Sequence, residues 1–182
     1  MIPVFKHLKK VGLLKSQRKL IDLGCGDGKI SEPFFQYGYE VTLVDRDRTA
    51  LSEAENNFKK IKEDGFKTFN VSIEDFSLDK SYDGIILSNV LPFQKNKETI
   101  EKIIKTAYDS LNKKGFLYFT LFGINDQWAT ERVDTMSFYN KEQALNLIKE
   151  PPYFISEDYG TGSTKRGEVK TWHIFYLLYI KD

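Results

Sequence analysis

The sequence holds few of the residues that staple or interrupt folds. One cysteine, Cys25, stands among 182 residues. That excludes an internal disulfide framework and a cysteine-rich zinc site. Two histidines, His7 and His173, without identifiable carboxylate partners, do not make a metal centre. Neither sign of charge is in excess: 27 Lys and Arg against 26 Asp and Glu leave a formal net charge of +1. Such a balance supports no bulk attraction to nucleic acid or to a membrane surface. Long apolar runs are missing too. The longest, residues 174–180, is strand-sized, and residues 1–10 lack the apolar core of a secretion signal. A cytoplasmic, reducing setting is the expectation. With no repeat, low-complexity tract or Pro/Gly/Ser-rich linker, residues 1–182 read as a single domain.

What is there is an ordinary apolar fraction, 41%, enough for a core of its own. Its pattern alternates short strand-like runs with longer helical ones. Strands are predicted at 19–23, 40–45, 66–71, 82–87 and 116–122, with a final pair at 153–159 and 168–180. Helices are predicted at 4–14, 28–37, 48–62, 97–111 and 140–149, where Leu51, Ala54 and Phe58, or Ile100, Ile103, Ile104 and Ala107, recur at helical spacing. Residues 123–137 and 160–167 read as loops, the first long enough to have a task. The order predicts an α/β fold: a Rossmann-like, doubly wound sheet of seven strands, mostly parallel, with an antiparallel last strand.

The first strand runs into Asp22-Leu23-Gly24-Cys25-Gly26-Asp27-Gly28. Glycines at such a turn permit a sharp bend and close approach of backbone to a ligand, outside the carboxyl ends of the strands. Asp45 ends the second strand about twenty residues downstream, placed to accept hydrogen bonds from two ribose hydroxyls. A nicotinamide or flavin fingerprint needs a third glycine where Lys29 stands, which disfavours an oxidoreductase. The phosphate-binding P-loop is absent as well, since Gly28-Lys29 is followed by Ile30.

The Asp-x-Gly-x-Gly-x-Gly spacing resembles motif I of the class I S-adenosylmethionine-dependent methyltransferases, and the resemblance extends over nearly the whole chain. It implies S-adenosylmethionine as cofactor. Asp22, Gly24, Cys25 and Gly26 would surround its methionine end, and Asp45 with Arg46 its ribose. Val71-Ser72-Ile73-Glu74-Asp75-Phe76 resembles the adenine clasp of that family, with Ser72 where an acid is usual. The Ser72 side chain and the Ile73 amide are therefore the expected contacts, and Asp75 is either a further contact or a capping residue. Ser88-Asn89-Val90, after the fourth strand, would lie beneath the sulfonium. The Asn/Asp-Pro-Pro-Tyr/Phe tetrapeptide of nucleobase and glutamine methyltransferases is replaced by Asn89-Val90-Leu91-Pro92.

Topology brings residues 123–137, 160–167 and the start of the last strand to one rim. Lys170-Thr171-Trp172-His173-Ile174-Phe175-Tyr176 resembles the ending of small tellurite-resistance-type methyltransferases. Trp128, Asp126 and Trp172 are the expected substrate residues, Trp128 as an acceptor wall or as a packed pin. His173 is either a general base or a histidine bonded to backbone at a strand end. Lys165 and Arg166 either meet an anionic substrate or are merely solvated. The expected reaction is in-line methyl transfer to a small molecule. The competing readings are an RNA methyltransferase and a catalytically silent S-adenosylmethionine-binding regulator.

Overall fold

Strands rich in β-branched and aromatic residues alternate with amphipathic helices, and a computed structural model assembles them into one sheet. It describes residues 4–15, 18–78, 81–94, 96–164 and 167–182, so Lys165 and Arg166 lie outside the described residues. The strands are β1 (Lys19–Leu23), β2 (Glu40–Val44), β3 (Phe66–Phe69), β4 (Tyr82–Leu87), β5 (Leu111–Gly123), β6 (Phe138–Tyr139), β7 (Phe154–Ser163) and β8 (Val169–Ile180). Their order is β3-β2-β1-β4-β5-β8-β7, with β6 pairing β5 from off this path. The neighbours from β3 through β5 run parallel, and β8 is antiparallel to both β5 and β7. The doubly wound sheet read from the sequence is therefore present, with the two-residue β6 as an addition.

Helices cover both faces. On one, α1 (Val4–Lys10), α2 (Glu32–Gln36) and α3 (Arg48–Lys59) bury Leu8, Phe34 and Phe58 against Leu20, Leu43 and Ile86. On the other, α4 (Lys97–Asp109) buries Ile100, Ile103, Ile104 and Ala107, and α6 (Lys141–Leu145) adds Ala144. Each large aliphatic side chain removed from water there contributes about 1.5–3 kcal/mol. Polar caps begin α3, α4 and α6: Asp47 accepts from Thr49 and Ala50 amides, Asn96 from Thr99, and Asn140 forms a capping box with Gln143. Among the described residues no helix is long and apolar enough to cross a membrane.

Element limits shift from the sequence expectation for identifiable reasons. Residues 28–31 form turns rather than helix, so α2 starts at Glu32 and Pro33 falls in its first turn, where a missing amide costs nothing. The expected loop 123–137 contains a short helix, α5 (Trp128–Glu131). The Asn112–Gly115 turn survives as an excursion inside β5. Leu111 pairs with Tyr82 and Phe116 with Gly84, and Lys114 takes φ 62° between them. Finally, Gly160 and Gly162 continue β7 instead of ending it. They sit opposite Trp172 and Lys170, and the Trp172 indole donates to the Gly162 carbonyl at 3.0 Å. The large ring shields backbone that glycine leaves bare.

Candidate functional site

The sheet order reverses between β1 and β4, and a cavity of about 1420 Å³ opens at that crevice. Its floor is the turn after β1. Gly24 has φ 77°, and a Cβ there would lie 2.4 Å from Val90 Cγ2, so only glycine fits. The Gly24 and Cys25 amides both donate to the Val44 carbonyl, at 2.8 and 3.0 Å. The Gly26 amide donates to Asp45 Oδ2 at 2.8 Å, and Asp45 Oδ1 accepts from the Asp47 amide at 2.8 Å. Each Asp45 oxygen thus spends one lone pair on backbone and keeps another. Because Asp47 caps α3, one short segment fixes the turn, the second strand's end and the helix start together. Asn70 completes the clasp by donating to the carbonyls of Asp45 and Arg46, at 2.9 and 3.1 Å.

Two buried oxygens in the cavity wall have no partner among the described residues: Asp22 Oδ2 and Ser88 Oγ. Desolvation pushes the Asp22 carboxyl up to about 7; a hydrogen bond with Ser31 opposes that, and the nearby charges of Asp45 and Asp27 add to it. Burial also pushes the Cys25 thiol up, so Cys25 fills space and is no nucleophile. The Ser72 hydroxyl donates to Asp75 Oδ2 at 2.7 Å and accepts from the Asp75 amide at 3.3 Å. Asp75 therefore shapes the turn that presents Ser72 and the buried Ile73 to the cavity. Past β4, Asn89 adopts φ 54°, held by its amide on Thr120 Oγ1 at 2.7 Å.

Beyond Ser88 the cavity continues between aromatic rings. Trp128 and Trp172 meet edge to face at 5.5 Å between centroids, Phe122 lies 5.5 Å from Trp172, and Phe93 lies 6.3 Å from Trp128. Behind this wall the Lys170 ammonium is fully buried and bonded to Asp126, 3.7 Å from the Trp172 ring centre and 4.5 Å from that of Trp128. Asp126 also accepts from the Trp128 and His173 amides, at 3.0 and 3.1 Å.

The structure gathers around this cavity the expected Asp22, Gly24, Cys25, Gly26, Asp45 and Arg46, and likewise Ser72, Ile73, Ser88, Trp128 and Trp172. Two expectations are corrected. Asp126 does not line the cavity; it is a buried hub that pins the Trp128 segment to β8. His173 does not line it either. Its Nδ1 accepts from the Asn125 amide at 3.1 Å, and so Nε2 carries the proton and donates to Glu157 Oε1 at 3.0 Å. With both ring nitrogens committed and the residue buried, His173 is not placed to take a proton from an acceptor. Asn70, Asp158 and Tyr176 went unnoticed in the sequence as site residues, whereas Asn89 and Val90 line the cavity beside Ser88. Asp158 and Tyr176 line the cavity from the last hairpin, and alternation along β7 and β8 was the signal that carried them.

A family model described as the methyltransferase small domain matches residues 4–144. The ubiquinone biosynthesis O-methyltransferase of Rickettsia conorii is 30% identical over 97 residues, 52% of this chain and 32% of that protein. The probable S-adenosyl-L-methionine-dependent methyltransferase TehB of Haemophilus influenzae is 30% identical over 98 residues, 54% of this chain and 34% of that one. The chain thus spans about a third of the length of these curated relatives. The crystal structure of TehB from Haemophilus influenzae matches with a TM-score of 0.77 at 20% identity, over 98% of this chain and 61% of that one. Magnesium protoporphyrin IX methyltransferase from Synechocystis PCC 6803, crystallised with bound SAM, matches with a TM-score of 0.68 at 17% identity, over 98% and 76%. At such identities the structural likeness is one of fold.

Proposed function

The chain belongs to the methyltransferase small-domain family, and from that premise we propose that it binds S-adenosylmethionine over the carboxyl ends of β1, β2 and β4 and passes the methyl group to a small molecule at the β5–β8 end of the same cavity. The observation that carries this is the pair of buried, unpartnered oxygens, Asp22 Oδ2 and Ser88 Oγ, in the wall of one cavity at the sheet's switch point. A buried carboxyl oxygen with no donor, on a group whose one named hydrogen bond is with Ser31, calls for a cation, and the cofactor's methionine end carries an ammonium. The two lone pairs left on Asp45 suit two ribose hydroxyls. Buried Ile73, on the turn that Ser72 and Asp75 close, offers an apolar seat and a backbone amide to a flat base.

When bound, S-adenosylmethionine supplies a methyl group made electrophilic by the neighbouring sulfonium charge. The chain's own work is to hold, orient and exclude water. Asn89, fixed in a left-handed conformation by Thr120, sets the wall where the two halves of the cavity meet. Trp128 and Trp172 form the apolar side of the acceptor end. His173 and Asp126 position those walls from behind. The continuity of the cavity past Ser88 supports an enzyme over a silent binder. The near-neutral net charge, +1, supports a small acceptor over RNA. With one buried cysteine the chain needs no oxidising compartment, and a cytoplasmic setting belongs to the same proposal.

Calorimetric titration with S-adenosylmethionine and S-adenosylhomocysteine tests the cofactor half, and binding of neither would sink it. Transfer of labelled methyl to pools of phenols, amines, thiols, metalloid oxyanions and RNA tests the rest. Label is expected in a small-molecule pool, and label confined to RNA would reverse the acceptor assignment.

A further inference from the structure

Thr120, on β5, is wholly buried, and its hydroxyl spends both its roles on one residue. The oxygen accepts from the Asn89 amide at 2.7 Å, and the hydrogen goes to Asn89 Oδ1 at 3.2 Å. A hydroxyl has one hydrogen, and among the described residues no other acceptor takes it. The carboxamide therefore turns its oxygen to Thr120. Asn89 Nδ2 is left without a partner among the described residues, on an exposed side chain that lines the cavity. The backbone is committed too, since φ 54° is a left-handed conformation that Asn tolerates and the Thr120 bond holds.

Asn89 stands between the two halves of the cavity. Its neighbour Val90 packs on the glycine turn, within 2.4 Å of where a Gly24 Cβ would be. Phe122, two residues beyond Thr120 and on the same face of β5, belongs to the aromatic wall, 5.5 Å from Trp172. That wall holds a second donor with no partner among the described residues, the buried Trp128 Nε1. Two free N–H donors call for oxygen on the molecule that fills the space.

Resting on the methyltransferase reading, we propose that the methyl-accepting atom is an ionised oxygen, of a phenol or a carboxylic acid, and that Asn89 Nδ2 donates to it during attack. Lone pairs decide between the elements. A neutral amine has one, and once the methyl carbon takes it none remains for Nδ2. The carboxamide oxygen, which could accept from an amine, is engaged by Thr120. A thiolate has lone pairs to spare, but sulfur accepts weakly. An ionised oxygen has three, one to attack and the others to accept. Its proton is lost to water beforehand, and donation by Asn89 favours that loss. One oxygen lone pair then forms the O–C bond while the C–S bond breaks, its electron pair going to sulfur, whose positive charge it cancels. Thr120 is the positioning residue that aims the donor.

The full chain with labelled S-adenosylmethionine is offered pools of phenols, carboxylic acids, amines, thiols and metalloid oxyanions. Label is expected in the phenols or the acids. Boiling hydriodic acid should free it as methyl iodide, as from any O-methyl group, and dilute alkali separates an ester from an ether. With S-adenosylhomocysteine bound, 4-nitrophenol reads the donor without turnover, because its ionised form is coloured. Its ionisation midpoint is expected to lie lower in the wild type than in Thr120→Val by about half a pH unit or more, the worth of one hydrogen bond. Thr120→Ser, which keeps the hydroxyl, should match the wild type. A merely structural role for Thr120 would leave that midpoint where it was. Asn89→Asp keeps the shape and puts a negative charge in place of the donor. It is expected to cut kcat/KM for the labelled acceptor by about a hundredfold, a fall that affinity for S-adenosylhomocysteine does not share. Label in the amine, thiol or metalloid pool overturns the proposal and leaves the methyltransferase reading standing. No label in any pool with S-adenosylmethionine bound, equal midpoints in wild type and Thr120→Val, or full turnover by Asn89→Asp overturns it as well. Failure of S-adenosylmethionine and S-adenosylhomocysteine to bind overturns the methyltransferase reading, and this assignment falls with it.

Discussion

On the proposed function, titration of Asp22 links the free protein to its cofactor. Burial raises this carboxyl from 3.8 to about 7. The folded chain therefore holds the proton more tightly than the unfolded chain. Its contribution to stability is full below pH 3.8 and is lost as pH rises through about 7, a swing of about 4 kcal/mol. A bound ammonium reverses the preference, because it favours the carboxylate. Below pH 7 binding must therefore expel a proton, and affinity for S-adenosylmethionine falls by about tenfold per pH unit. Between pH 8 and pH 6 the expected loss is about tenfold, with about 0.9 protons released per cofactor bound at pH 6. Calorimetry at pH 6 in phosphate and in imidazole reads that number from the difference in apparent enthalpy. In Asp22→Asn the affinity is expected to be weaker and flat across the same range, and the buffer dependence is expected to vanish. A wild-type affinity that does not change from pH 5.5 to 8, with enthalpies equal in the two buffers, would falsify the argument at its root.

Gly24→Ala is expected to lose about 2–4 kcal/mol of stability in urea unfolding, because its Cβ meets Val90 Cγ2 at 2.4 Å and φ is 77°. Adding Val90→Ala should recover only part of the loss, because the Val90 Cβ itself lies 2.6 Å from the new Cβ and the left-handed backbone keeps a further cost of about 1 kcal/mol. Lys170→Met strands the Asp126 carboxylate in the interior and should cost about 3–5 kcal/mol, whereas Lys170→Met with Asp126→Asn should cost less than the sum, as a double-mutant cycle would show. Asp45→Ala removes acceptors for the Gly26 and Asp47 amides as well as for the ribose, so cofactor affinity by calorimetry should fall by about tenfold or more. An unchanged affinity would relocate the ribose.

The half of the cavity proposed for the cofactor was legible in the sequence because its signals are local. A glycine turn after one strand and an acid ending the next are close in the chain, and the parallel register puts them side by side. The half proposed for the acceptor was legible as segments and not as side chains. Trp172 and His173 are adjacent in sequence, and both were candidates; alternation sends the indole into the cavity and the imidazole to the other face. No composition or spacing sets that parity. It follows from the pairing of β8 with β5, in which Ile174 meets Phe122. Asp126 misled for a related reason. An acid in a loop beside a tryptophan reads as a ligand contact, but its partner Lys170 lies 44 residues away and reaches it only through the folded sheet. Glycines in β7 likewise read as loop until Trp172 is seen lying across them.

The hairpin of β7 and β8 lies wholly beyond residue 144, where the family match ends. The cavity is thus shared between two owners. On the proposed function its donor side comes from a stretch that family membership describes, and much of its acceptor side from a stretch that it does not. That reading expects a change in the hairpin to alter what is methylated while the grip on the methyl donor stays intact, and grafting residues 154–180 between relatives would then exchange acceptors on a constant donor site.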